Sequence, residues 1–71
     1  MIMKMQTIQF TYEDADFGVL PLNFQQVIPL HYQFPGKLSR GNNDIGYKVW
    51  SDDVPAMTRE AERRGYSLQI L

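Results

Sequence analysis

The chain has 71 residues, enough for one domain over 1–71, and folding at that length buries only about 60% of the surface the unfolded chain exposes, so marginal stability is expected. Seven basic and eight acidic residues leave a net charge of −1, which excludes an overall field favouring nucleic acid or an anionic membrane. The absence of cysteine excludes disulfides and thiolate metal sites and makes a cytoplasmic setting the default expectation.

Met1-Ile2-Met3-Lys4-Met5 has one Lys but lacks the apolar run of about 7–15 residues found in a secretory signal, and no stretch approaches a membrane span. Four Phe, four Tyr and one Trp stand in for covalent staples, since each large ring buries about 150–250 Å². Either the core is rich in rings or a partner covers some of them.

Thr7 to Tyr12 alternates, with Ile8, Phe10 and Tyr12 on one face and Thr7, Gln9 and Thr11 on the other, the period of a half-buried strand. Glu13-Asp14-Ala15-Asp16, followed by Gly18 and Pro21, predicts a loop to Asn23, which Phe17, Val19, Leu20 and Leu22 make unusually apolar. In the next stretch Ile28, Leu30, Tyr32 and Phe34 alternate with Val27, Pro29, His31 and Gln33. That predicts a second strand, placed at an edge or a bulge because Pro29 cannot donate to a ladder. Pro35-Gly36 suits a type II turn that ends it.

Lys37 to Asp44 is polar and reads as a mobile loop between hairpin strands, leading into a third strand over Ile45 to Trp50. There Ile45, Tyr47 and Val49 oppose Gly46, Lys48 and Trp50, which turns the single Trp away from the apolar set. A helix follows on several independent signals. Asp52 or Asp53 can cap it, Pro55 suits its first turn, Arg63 and Arg64 sit at the negative end of its dipole, and Gly65 can close it. Val54, Met57 and Ala61 form a narrow apolar stripe that needs a sheet to pack on. Tyr66, Leu68 and Ile70 then alternate with Ser67 and Gln69 in a last strand. The expected architecture is α+β: a small, mainly antiparallel β-sheet in the order β-β-β-α-β, with one helix from the C-terminal half packed on one face. The crossover is expected to set the last strand parallel to the third.

Chemistry-bearing constellations are thin. His31 is the only histidine and has no acidic sequence neighbour, so an exposed structural role outweighs that of a general base. Counting Asp14 as the first ligand of a calcium loop puts the turn glycine one place early, at Gly18, and Gln25 where a bidentate Glu belongs, so the acidic run reads as a solvated loop. Gly36-Lys37-Leu38-Ser39 lacks the spacing of a phosphate-binding loop and opens no helix. No catalytic residue, cofactor site or metal site is assigned, and a non-enzymatic protein is expected.

The surplus is apolar. Phe17, Leu20 and Phe24 in the first loop, Val27 and Trp50 on off-faces, and Tyr47 are the expected partner-binding residues, because exposed apolar patches mark interaction surfaces. The expectation is a protein-protein interaction module that docks on another protein or on its own copy as a homodimer, through rings and the edge strand holding Pro29. A compact regulator or inhibitor occupying a partner surface, as small antagonists from mobile elements do, fits this scale by analogy alone. The alternative is a nucleic-acid-binding accessory role, with Lys37, Arg40 and Lys48 as contacts beside Tyr47 and Trp50. No membrane partner is expected.

Overall fold

The computed structural model describes residues 4–40 and 46–71. Their elements run β1 (Met5–Asp14), β2 (Gly18–Pro21), α1 (Phe24–Gln33), β3 (Ser39–Arg40), β4 (Tyr47–Trp50), a 3-10 turn over Ser51–Asp53, α2 (Val54–Arg63) and β5 (Ser67–Ile70). The fold is α+β, with an antiparallel sheet and a C-terminal-half helix against it, as the sequence pattern predicts. The element order carries one more α-helix and one more strand than expected.

β1 is the centre of the sheet and pairs antiparallel with β2, β4 and β5. Ile8 lies opposite both Tyr47 and Ile70, and Thr11 opposite both Pro21 and Ser67. One residue can face two partners only across opposite edges, so β5 takes one edge of β1, and β4 and β2 share the other, one at each end. β4 and β5 therefore run parallel to each other, as the crossover predicts, but with β1 inserted between them. β3 extends the sheet beyond β4.

Strand alternation then sorts the side chains. Ile8 and Phe10 of β1 and Tyr47 and Val49 of β4 share one face and join Val27, Leu30, Leu38, Met57 and Ala61 in the buried core. Both helices cover this face. The opposite face, carrying Met5, Thr7, Gln9, the buried Thr11 and Glu13 from β1, has no helix over it among the described residues.

The predicted strand at Val27–Phe34 is helix α1, which corrects the expectation. Asn23 accepts from the Gln26 amide at 2.8 Å while the Gln26 side chain accepts from the Asn23 amide at 2.8 Å, a capping box that nucleates the first turn. Val27 and Leu30 lie three residues apart and bury on the helical period, while Tyr32 is left exposed. Pro29 thus lies inside a helix and offers no sheet edge. The Pro35-Gly36 turn does form, closed by the Lys37 amide donating to the Phe34 carbonyl at 3.1 Å, and it ends that helix. The apolar loop expected to reach Asn23 is instead a hairpin, with Leu20 opposite Tyr12. Ile45 and the predicted mobile segment 41–44 lie outside the described residues.

α2 matches its signals closely. Asp53 is its N-cap position, but its side chain makes no capping bond and pairs with Lys37 Nζ at 3.2 Å instead. At the other end Gly65 takes φ +84°, its amide donates to Glu62 at 3.0 Å, and Tyr66 donates to Ala61 at 2.8 Å. These two bonds are the Schellman closure, and they deliver the chain into β5. Glu60 accepts from both Arg63 and Arg64, and chiefly the Arg63 hydrogen bond holds its carboxyl below the usual glutamate range.

Candidate interaction surface

Six residues expected to meet a partner fall into three places. Val27 and Tyr47 are core residues, 5% and 9% exposed, and are removed from the surface set. Val27 is drawn in because α1 is a helix whose 27/30 face meets the sheet. Tyr47 points to the core face of β4, its ring 6.1 Å from Phe10 and 5.7 Å edge-on from His31.

Phe17 sits in the β1–β2 turn, Leu20 in β2 and Phe24 at the start of α1. Phe17 is 78% and Phe24 77% exposed, whereas Leu20 is half-buried beside Tyr12 on the core side. The turn itself is built by Asp14, whose carboxylate accepts from the amides of Asp16 at 2.9 Å and Phe17 at 3.0 Å. Two members of the acidic run thus serve the turn. Among the described residues no group of three or more His, Asp or Glu converges as metal ligands would.

Trp50 stands alone at the far end. It pairs with Met5, and the nine residue steps of β1 from Met5 to Asp14 separate it from the hairpin by about 30 Å at roughly 3.3 Å per residue. The expected surface is therefore two surfaces. The uncovered sheet face supplies what the sequence pattern missed: Met5 directly opposite Trp50 and, farther along the face, Leu71, whose amide donates to the Thr7 carbonyl at 2.8 Å. A Cβ built on Gly46 would sit 3.0 Å from Leu71 Cδ1 and 3.2 Å from Thr7 Cγ2, so the Leu71 side chain lies across β1 above Gly46. Met5, Trp50 and Leu71 are 49%, 44% and 56% exposed; Met5 and Trp50 form a cross-strand apolar pair, and Leu71 lies farther along the same face, beyond Thr7 and Lys48. Gln9, Gln69 and Ser67 continue the face as neutral polar groups.

Lys37 and Lys48 of the cationic set can be placed. Lys48 shares the open face with Trp50, but Lys37 is paired to Asp53, and Tyr47, its expected stacking partner, is buried on the opposite face. The placement of the Arg40 side chain lies outside the described residues.

A shallow pocket of about 180 Å³ opens where β1 passes between the ends of β2 and β4. Phe10, Leu22, Val27 and Tyr47 line it with Gln9, and it is smaller than the roughly 300–1,000 Å³ typical of small-molecule sites. Among the described residues no helix is long and apolar enough to cross a membrane. Neither a protein-family model, nor a curated protein, nor a solved structure matches this chain.

Proposed function

We propose that this chain is a non-catalytic protein-binding module that acts by laying its uncovered sheet face against a partner, as a small regulator or inhibitor does. The observation that carries the reading is the exposed apolar pair of Met5 and Trp50 on the face that neither helix covers, with Leu71 farther along it. A half-exposed Trp with an apolar cross-strand neighbour and a largely neutral polar surround has the composition of an interface anchor and its rim. Among the described residues Lys48 is the one cation that joins Trp50 on this part of the face, which favours a protein over a nucleic-acid strand.

Trp50 is the sole tryptophan, so its emission reports the site directly. The protein and its Trp50→Ala variant are each used as bait at low and high salt, and the retained partner is titrated against the wild-type indole signal. The expected result is a stoichiometric protein that survives high salt, shifts the Trp50 emission to the blue, and loses at least tenfold in affinity to Trp50→Ala while the melting temperature holds. A ligand released by salt and identified as nucleic acid would transfer the reading to the alternative. Unchanged partner binding by a folded Trp50→Ala protein would end it.

A further inference from the structure

The sheet has edges of very different quality. In β2 the residues facing outward are Val19 and Pro21, because Tyr12 and Leu20 exchange their bonds inward, and Pro21 has no amide to offer. β3 is two residues long. β5 carries neither proline nor charge over Ser67, Leu68, Gln69 and Ile70, and β1 is its only partner strand among the described residues. Natural edges are normally blunted by shortness, proline or charge, and this four-residue edge has neither of the last two.

The register fixes what β5 presents. Leu71 donates inward to Thr7, so alternate residues Gln69 and Ser67 also bond inward, and the amides and carbonyls of Leu68 and Ile70 point out. Ile70 is 57% exposed although it lies on the core face beside Ile8. Tyr66, the next outward residue, already spends its amide on Ala61.

We infer that a second copy of this chain pairs with β5 antiparallel across a two-fold axis at Gln69, giving one continuous sheet. The strand is self-complementary in that register. Leu68 pairs with Ile70 of the other copy and Ile70 with its Leu68, so all four outward groups of each strand find partners. The same pairing places the exposed Ile70 against a Leu68 that already packs on the core. Because the paired positions share parity, both helical layers fall on one side and both Met5–Trp50 pairs on the other. The dimer therefore displays two copies of the proposed binding face, although the pairing itself does not depend on that reading.

A four-residue ladder is small for an interface, so association is expected in the micromolar range. Sedimentation of the full chain over a concentration series should show 8.3 kDa protomers giving way to a species of twice that mass. Gln69→Lys sets two like charges opposite each other at the axis, on an exposed position outside the core, and should shift dimerisation by at least tenfold without moving the melt. Since the chain lacks cysteine, Gln69→Cys should cross-link to a disulfide dimer under mild oxidation while Val19→Cys stays monomeric. Protomers alone at every concentration, or dimers that ignore Gln69→Lys, would overturn the inference. Trp50→Ala should dimerise normally, which separates this result from the fate of the binding face.

Discussion

Gly46 and Gly65 both hold positive φ, +73° and +84°, for different reasons that a single substitution separates. At Gly65 a Cβ meets nothing within 4 Å, so alanine bears only the strain of a left-handed residue, about 1–2 kcal/mol. At Gly46 the same Cβ runs into the Ile8 carbonyl oxygen and crowds Leu71 and Thr7 as well. Urea unfolding should place Gly46→Ala clearly below Gly65→Ala in stability, and Gly65→Asn above Gly65→Ala because asparagine tolerates that conformation better. Equal losses at the two sites would show that Gly46 has room to relax. Gly65 was legible in the sequence, as a glycine following two arginines at the end of a periodic stretch. Gly46 was not, since its constraint comes from residues at both ends of the chain meeting over β1.

At the scale of the element, α1 tests how local signals compete. Ile28, Leu30, Tyr32 and Phe34 do alternate, but Asn23 and Gln26 form the capping box, and Val27 with Leu30 supplies the face that the sheet buries. Pro29 costs this helix a backbone bond to the Gln25 carbonyl, a loss that an isolated helix of 10 residues would not withstand. Tertiary burial therefore decides the segment, and a period read from four side chains could not reveal it. Two opposed substitutions follow. Asn23→Ala should lower stability by about 1 kcal/mol through loss of the cap, and Pro29→Ala should raise it by restoring the missing donor. Circular dichroism with urea titration reads both, and a neutral Asn23→Ala would mean that packing alone holds α1. β4, α2 and β5 were legible because their alternation, caps and burial agree. Trp50 was correctly turned from the core for the same reason. What no pattern along the chain carried was the register that sets Met5 beside it, brings Leu71 onto the same face and puts Phe17 about 30 Å away.

Across the whole molecule β1 is the hub, since β2, β4 and β5 each bond to it, and β2, β4 and β5 make no ladder with one another. Ile8 and its neighbour Gln9 sit where β4 covers one edge and β5 the other, and Ile8 and Phe10 carry the core beneath both helices. No partial opening can free the Ile8 and Gln9 amides without removing the layer that stabilises the rest, so their exchange should require global unfolding. β2 is different. It holds only the far end of β1, and it leads directly to the exposed rings of Phe17 and Phe24. Hydrogen exchange in increasing denaturant should therefore show Ile8 and Gln9 with the steep dependence of the global transition and Leu20 with a shallow one. If Gln9 instead exchanged by a shallow opening while Ile8 did not, β5 would be detaching on its own, and the hub would be the β1–β4 pair rather than β1 as a whole.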